Sequence, residues 1–375
     1  MRVAPRSVLC AALLFAGAAF GSDATCDRWP EWRSFKQLYL SEDGRVIDAA
    51  SHGITVSEAQ GYALTFALIA NDPGAFRKIL RWTESNLSGG SVSKALPAWK
   101  WGESPQGVWR VLDANSASDA DLWILYALDE AARLWHEPKF SQAARGLADL
   151  ILAEEVATVP GLGPTLLPGA KGFVAQSTWR LNASYAPLPV LRAIGNAHQN
   201  SLWTGVFESS LKVISGSTPR GYVADWIVYQ PPNGFTTDAE THGIGSYNAI
   251  RVYLWAGMWA DGESNASKLA QLLRPMAVAS AQHEPPEIID THTLETRGSA
   301  PPGFFASMLP LLVHFKMNDA VQVYRHQIAA AVLKDNLHYY SDVLSLFGLG
   351  WLDQRYRFDR QGQLRVEWSE PCRAT

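Results

Sequence analysis

The 375-residue sequence is long enough for one large domain or for roughly two or three smaller ones. Apolar residues make up 47% of it and charged residues 18%, which excludes a disordered chain and requires a large core. The 32 basic residues nearly balance the 36 acidic ones, and no basic run alternates with aromatic residues, so a nucleic-acid partner is not expected.

Residues 1–21 have the pattern of a secretory signal peptide. Arg2 and Arg6 precede an apolar run over residues 8–20, which is shorter than the ~20 residues of a membrane-spanning helix. We therefore expect a periplasmic or secreted protein, with no stable membrane span after the signal is removed. A retained anchor is the alternative.

Two cysteines lie beyond this segment, Cys26 near the mature start and Cys372 near the end. An even number of cysteines in an oxidising compartment is typical of disulfide bonding. A Cys26–Cys372 bridge is expected, with two separate thiols as the alternative.

No linker, repeat motif or shift in composition divides the chain after Trp29, which indicates a single domain over residues 22–375. Apolar periodicity predicts about twelve helices, at residues 29–40, 57–71, 73–87, 118–136, 138–154, 184–196, 199–214, 244–258, 264–281, 302–314, 317–334 and 338–350. Most of them form closely spaced pairs, so helical hairpins in tandem are predicted. We expect an all-α fold in which six hairpins close into an (α/α)6 barrel with the first helix of each pair inside. An open solenoid is the alternative.

Long irregular segments interrupt the helix pairs at residues 88–117, 155–183, 215–243 and 282–301. Loops on a rigid helical scaffold are where functional sites are usually built. A short β-hairpin is predicted at the end of the fold, with strands at residues 355–358 and 363–367.

Glu58 stands at the start of a strongly apolar predicted helix, three residues after Thr55. This spacing fits a capping box, in which both side chains bind backbone N–H groups. A Glu at the mouth of an inner helix would also be partly desolvated, which raises its pKa as a general acid requires.

Asp119 and Asp121 stand in the first turn of another predicted helix, after Ser118. Ser118 and Asp121 have capping-box spacing, which leaves Asp119 without a capping role. The helix dipole favours the ionised form of a carboxyl at this position. Glu58 and Asp119 are therefore candidates for two carboxyl groups with different roles.

Asn248 and Arg251 open a third apolar helix, where residues three apart share a face. These two residues are a third candidate for the functional site. The alternative is that they are only the polar start of a helix, in which Arg251 binds a neighbouring loop.

Fifteen tryptophans exceed what one core usually needs, and several fall in the irregular segments, namely Trp99, Trp101, Trp109, Trp179 and Trp226. Since pyranose C–H faces stack on aromatic rings, some of these are expected to form sugar platforms. No HExxH sequence, zinc spacing, P-loop, GxGxxG or GxSxG is present in the sequence, and neither a metal nor a cofactor is expected.

These motifs resemble glycoside hydrolase family 8, most closely its exported endo-β-1,4-glucanases (cellulases) that are encoded with bacterial cellulose synthase. The similar blocks are CDRWPEW (26–32), GRVID (44–48), SEAQ (57–60), LPAWKWG (96–102), NSASDAD (115–121), EVATVPGLG (155–163), WRLNASY (179–185), IGSYNAIR (244–251) and FGLGW (347–351). The resemblance implies an (α/α)6 barrel with a groove across one face and inverting hydrolysis of β-1,4-glucan. It further implies an association with a cellulose synthase complex.

The resemblance also assigns roles to single residues. Glu58 matches the family's general acid, and Asp119 matches the carboxylate that holds the sugar beside the scissile bond. The residues implied in substrate binding are Trp99, Trp101 and Trp179, in segments similar to its sugar-stacking ones, and Tyr185, Tyr247 and Arg251, which match residues lining the cleavage site.

Asn248 departs from the family pattern, because the family's cellulases usually carry there the Asp that serves as general base. An inverting enzyme needs that carboxylate about 6.5–9.5 Å from the acid, and an amide cannot take a proton from water. Three outcomes are open: Asp238 or Glu240 of the adjoining loop serves as base, Asp119 does so less well, or the protein binds glucan with little turnover.

A polysaccharide lyase on a helical toroid is a further alternative, because His242, Tyr247, Asn248 and Arg251 cluster in the sequence. The near-neutral charge and the pair of Glu58 and Asp119 argue against it.

Overall fold

The computed structural model describes residues 29–259, 261–332 and 338–369. The signal peptide expected over residues 1–21 and the Cys26–Cys372 bridge lie outside these residues, so both stay predictions. The described ranges contain thirteen α-helices: α1 (Pro30–Tyr39), α2 (Ser57–Ile69), α3 (Pro73–Asn86), α4 (Ser118–Trp135), α5 (Pro138–Glu154), α6 (Leu188–His198), α7 (Ser201–Gly216), α8 (Ala249–Met258), α9 (Ser264–Leu272), α10 (Arg274–Gln282), α11 (Pro302–His314), α12 (Asn318–Val332) and α13 (Tyr339–Leu352).

Six of these helices form an inner ring, in the order α2, α4, α6, α8, α11 and α13. Helices that are apolar on all sides are expected to be buried on all sides, and every residue of α2 except Glu58 is buried. The ring closes where Phe66 of α2 packs on Phe347 of α13, with ring centroids 4.6 Å apart. The fold is therefore the predicted (α/α)6 barrel.

The outer helices each cover an inner one and bury only one face. In α3 the buried residues include Phe76, Ile79, Leu80 and Thr83, which follow the spacing of an amphipathic helix. The single helix predicted over 264–281 is divided at Leu273 into α9 and α10, because Pro275 in the first turn of α10 cannot continue a helix from before it. No helix in the described ranges is long and apolar enough to cross a membrane.

Short antiparallel strands occupy much of the segments that the sequence left irregular. They are β1 (Thr55–Val56), β2 (Lys100–Glu103), β3 (Trp109–Asp113), β4 (Val156–Val159), β5 (Gly163–Leu166), β6 (Val174–Ala175), β7 (Thr178–Leu181), β8 (Ile227–Gln230), β9 (Gly234–Thr237), β10 (Ile244–Gly245), β11 (Ile288–Asp290), β12 (Thr296–Arg297), β13 (Tyr356–Phe358) and β14 (Leu364–Val366). They pair as β1-β2-β3, β4-β5, β6-β7-β8-β9, β10-β11-β12 and β13-β14. The last pair is the predicted terminal hairpin, with Tyr356 opposite Val366.

Most of these strands precede the inner helices. Strand β1 runs directly into α2, and β10 lies just before α8. Because inner and outer helices alternate along the chain, the inner helices run in one direction and their N-termini meet at one end of the barrel. This end, here called the N-terminal rim, carries Glu58, Asp119 and Asn248.

Candidate active site

The two capping boxes predicted at the N-terminal rim are wrong. Thr55 Oγ1 donates to the backbone oxygen of Val46 at 2.6 Å and accepts from Nε of Arg45 at 2.9 Å, so it does not cap α2. Helix α4 begins after Ala117 without a side-chain cap, and the hydroxyl of Ser118 is buried with no partner among the described residues. The competing contacts are long-range and leave no signal in the local sequence.

Arg251 joins the polar side chains at the rim. Its Nη1 donates to Oδ2 of Asp119 at 2.6 Å and to the hydroxyl of Tyr62 at 3.0 Å. Its Nη2 donates to Oδ1 of Asn248 at 2.9 Å and to Oγ of Ser184 at 2.9 Å. Both Arg251 and Asp119 are buried, and a guanidinium held by four acceptors is fixed in position. Asn248 and Arg251 thus share a face, as their spacing predicts.

Glu58 lies at the open end of α2 beside an exposed indole. Nε1 of Trp99 donates to Oε1 of Glu58 at 3.3 Å, and 36% of Trp99 is exposed. Burial of the carboxyl raises the pKa of Glu58 to about 8, and the negative charge of Asp119 adds to this rise. Glu58 is therefore protonated at neutral pH, which is the state that a general acid requires.

Asp119 has a different environment from Glu58. Its Oδ1 accepts from the backbone N–H of Ala120 at 2.9 Å, and its Oδ2 is bound to Arg251. Burial raises the pKa of Asp119, and the guanidinium of Arg251 opposes that rise. Asp119 is thus paired with a cation, which suits a charged role. Glu58 forms no ion pair among the described residues, which suits a protonated role.

The amide of Asn248 has a fixed orientation. Nδ2 of Asn182 donates to Oδ1 of Asn248 at 3.1 Å, and Oδ1 of Asn182 accepts from the N–H and the hydroxyl of Ser184 at 3.0 and 2.7 Å. Because Arg251 and Asn182 both donate to Asn248, its oxygen must face them and its Nδ2 faces elsewhere. An amide nitrogen only donates hydrogen bonds, so this group cannot accept a proton from water.

Two tryptophans of the β2–β3 hairpin stack on each other. Trp101 is half-buried, with the ring of Trp109 at 5.2 Å, that of Trp82 at 5.3 Å and the guanidinium of Arg45 at 4.3 Å. Trp109 is 44% exposed and is the more open ring of this stack.

Trp179 does not have the open ring face predicted for a sugar platform. It is only 8% exposed and belongs to the hydrophobic core, opposite the buried Tyr229 across β7 and β8. The half-buried Trp226 lies 6.1 Å from the ring of Tyr185, is stacked on Phe173 at 5.9 Å and has the guanidinium of Arg180 4.3 Å from its ring centre. Trp179 is therefore withdrawn as a candidate platform, and Trp226 does not replace it because Phe173 and Arg180 pack on its ring.

The two predicted tyrosines occupy different parts of the rim. The half-buried ring of Tyr185 lies 5.4 Å from the guanidinium of Arg251. Tyr247 is exposed, and its hydroxyl donates to Oε1 of Glu287 at 2.9 Å. The hydroxyl of Tyr340 in turn donates to the backbone oxygen of Tyr247 at 2.6 Å.

Comparison with known proteins assigns this chain to a family. The model of glycosyl hydrolases family 8 matches residues 4–354. The chain belongs to glycosyl hydrolase family 8. An endoglucanase of Xanthomonas axonopodis pv. citri (strain 306) is 44% identical to it over 369 residues, which are 97% of this chain and 96% of that protein.

Further relatives of this family 8 chain are similar over nearly their whole length. An endoglucanase of Escherichia coli (strain K12) is 42% identical over 361 residues, which are 95% of each chain. The crystal structure of an endo-1,4-D-glucanase from Vibrio fischeri ES114 has a TM-score of 0.88 at 41% identity, and the match covers 91% of this chain and 100% of that one.

In this family 8 chain, the two loop carboxylates considered as alternative bases are both bound to Arg180. Nε of Arg180 donates to Oδ1 of Asp238 at 2.9 Å, and its Nη2 lies 2.8 Å from Oε2 of Glu240. Burial acts to raise the pKa of Asp238, but hydrogen bonds from Arg180 and Thr241 bring it below its ordinary value. The lowered pKa makes Asp238 a weak base. Neither Asp238 nor Glu240 forms a hydrogen bond with Asn248 within the described residues. The structure does not support either as the base.

Several residues of the site were not predicted. They include Tyr62, Asn182 and Ser184, which hold Arg251 and Asn248, and Asp225, whose Oδ1 accepts from the N–H groups of Ser246 and Ala249 at 2.8 and 2.7 Å. Asn182 and Ser184 lie in the WRLNASY block and carry polar side chains next to Tyr185, a signal that could have identified them. Among the described residues, no group of three or more His, Cys, Asp or Glu side chains is placed to hold a metal ion.

Proposed function

We propose that this protein is an endo-β-1,4-glucanase that cleaves glucan chains internally with inversion, and that Glu58 is its general acid. The observation that carries this proposal is the state of Glu58. It is the one residue of α2 that is half-buried rather than fully buried, it lies beside the exposed Trp99, and burial of its carboxyl raises its pKa to about 8. The endoglucanase names of its relatives support the choice of substrate.

The reaction starts with proton transfer from Glu58 to the glycosidic oxygen while the bond from that oxygen to the anomeric carbon breaks. The leaving sugar departs with a hydroxyl group, and positive charge develops on the other sugar ring. Asp119, fixed by Arg251 at 2.6 Å, supplies a negative charge that stabilises this transition state. The exposed Trp99 is the proposed stacking surface for a neighbouring sugar.

As the bond breaks, water attacks the opposite face of the sugar in the same displacement and loses a proton, which a base normally accepts. Asn248 occupies the position of that base in the family pattern, and its amide orients the water without accepting the proton, which passes to solvent water instead. General base catalysis contributes about 10²–10⁴-fold, so we expect slow turnover. Because Asn248 cannot act as a base, it also favours a second candidate function, which is glucan binding with very little hydrolysis.

Reducing-end release and viscosity of carboxymethylcellulose test the proposal, with Glu58→Gln as the matched control. An internal cleavage lowers the viscosity before many reducing ends appear. The control keeps the shape of Glu58 and has no proton to give, so it should bind cellopentaose and release nothing.

Any other result of these assays supports a different function or a different general acid. Wild-type protein that binds cellopentaose and releases no more reducing ends than the control is a glucan-binding protein. Absorbance from unsaturated uronates on a uronate polymer would indicate the lyase. Equal hydrolysis by wild type and control would overturn the role of Glu58.

We also propose that the protein is exported and acts on the glucan made by a cellulose synthase complex. The pattern of residues 1–21 supports export, and the resemblance of the sequence blocks to cellulose-synthase-associated glucanases supports that setting. A mature protein that begins near residue 22 in the periplasmic fraction, and altered cellulose output after deletion of the gene, are the expected results.

A further inference from the structure

Two carboxyl groups that the proposed hydrolysis does not use lie behind Asp119. Asp121, in the first turn of α4, and Glu155, directly after α5, are both fully buried. A side-chain hydrogen bond between the two carboxyls acts to raise the pKa of Asp121 and to lower that of Glu155. Ser116 Oγ donates to Oε1 of Glu155 at 2.6 Å, whereas Oε2 of Glu155 and both oxygens of Asp121 receive no other donor among the described residues.

The surroundings of this pair are acidic. The negative charges of Glu58 and Asp119 act to raise the pKa of Asp121, and those of Asp119 and Glu154 act to raise the pKa of Glu155. No Lys, Arg or His in the described ranges forms an ion pair with either carboxyl. Two ionised carboxylates buried together without a cation would strongly repel each other and lack solvation. A carboxylic acid O–H that donates to a carboxylate oxygen satisfies both groups.

We propose that Asp121 and Glu155 share one proton, and that the protonated pair positions Asp119 by holding the turn in front of α4. The turn is tied to Glu155 through Ser116, whose Oγ also accepts from the N–H of Ala170 at 3.1 Å. The backbone of Glu155 accepts from the N–H of Leu167 at 2.7 Å. Glu155, the turn at residues 115–118 and the segment at residues 167–170 thus form one hydrogen-bonded unit.

Loss of the shared proton at high pH would place a second negative charge beside Asp119. Burial is the largest cause that raises the pKa of both groups, that of Glu155 to about 8. A folded-state pKa above the unfolded value means that the pair's contribution to stability is fully present below the unfolded pKa. That contribution is lost as the pH rises through about 8.

The test uses the Glu58→Gln protein, because Glu58 titrates in the same range. This parent is compared with a triple variant that also carries Asp121→Asn and Glu155→Gln, in which an amide pair keeps a hydrogen bond and has no titrating proton. We expect the Tm of the parent to fall between about pH 5 and pH 8, and the Tm of the triple variant to change much less over that range. Equal slopes of Tm against pH in the two proteins would contradict the proposal that Asp121 and Glu155 share a proton.

Two further measurements complete the test. The infrared spectrum of the parent should show a protonated-carboxyl C=O band at pH 7 that disappears above about pH 8, and its absence would overturn the proposal even if the triple variant fails to fold. Cellopentaose affinity tests the positioning of Asp119, a part that rests on the proposed function. It should weaken several-fold at high pH in the parent and stay constant in the triple variant. Equal weakening in both would overturn the positioning role and leave the shared proton intact.

Discussion

Oδ1 of Asn248 accepts a hydrogen bond from Nη2 of Arg251 at 2.9 Å. The same guanidinium is bound to Oδ2 of Asp119 at 2.6 Å, so one cation orients both the proposed transition-state carboxylate and the amide at the base position. A carboxylate at position 248 would therefore face a cation that is already in place, and would not be an unpaired buried charge.

The first prediction is that Asn248→Asp raises kcat on a soluble β-glucan by about 10²-fold, the lower end of what general base catalysis contributes. The new carboxylate keeps the bonds from Arg251 and Asn182, and its second oxygen accepts the proton of the attacking water. As a control, the same substitution in the Glu58→Gln protein should give no gain.

Substitutions of the loop carboxylates Asp238 and Glu240 test whether one of them is the base. Asp238→Asn and Glu240→Gln should leave the wild-type rate within about threefold, because both groups are held by Arg180. Loss of wild-type turnover in either variant, with no gain from Asn248→Asp, would show that a loop carboxylate is the base.

The second prediction concerns the alkaline limb of the pH profile. Since Glu58 must be protonated to act, kcat/KM should fall as the pH rises through about 8. The charge of Asp119 raises the pKa of Glu58, so Asp119→Asn should move this limb to lower pH and also lower the rate throughout. Circular dichroism at each pH confirms that the protein is folded. A limb that stays in place or moves to higher pH would contradict the assignment of Glu58.

The sequence predicted the barrel well because the inner helices are apolar on every side, so a polar residue at their start is conspicuous. Glu58, Asp119 and Asn248 could be found for this reason. The contacts of Thr55 could not be predicted, since they involve Arg45 and Val46 brought close by the fold. Trp179 lies in one of the long irregular segments, and only the three-dimensional pairing of β7 with β8 shows that its ring is buried.

The third prediction compares Trp99, an exposed ring that is expected to stack on sugar, with Trp179, a ring in the core. Trp99→Ala should weaken cello-oligosaccharide binding by about 1 kcal/mol, because it removes an exposed ring beside Glu58. Trp99→Phe should keep most of the affinity and move the alkaline limb to higher pH, since the indole N–H lowers the pKa of Glu58. Trp179→Phe is the matched control, in which calorimetry should show a lower Tm and little change in affinity. A larger binding loss in Trp179→Phe than in Trp99→Ala would restore Trp179 as the platform.

The fourth prediction is that Arg251→Lys lowers kcat more in the Asn248→Asp protein than in the wild type. A lysine ammonium keeps the charge near Asp119 but cannot span Tyr62, Asp119, Ser184 and Asn248 together as the planar guanidinium does. In the wild type the lost partner at position 248 is a neutral amide, whereas in Asn248→Asp it is a carboxylate whose charge would be left unpaired. A double-mutant cycle on kcat should therefore give a coupling of about 1–3 kcal/mol between positions 248 and 251. Equal fold-losses in the two backgrounds would mean that Arg251 does not orient the group at position 248 during the reaction.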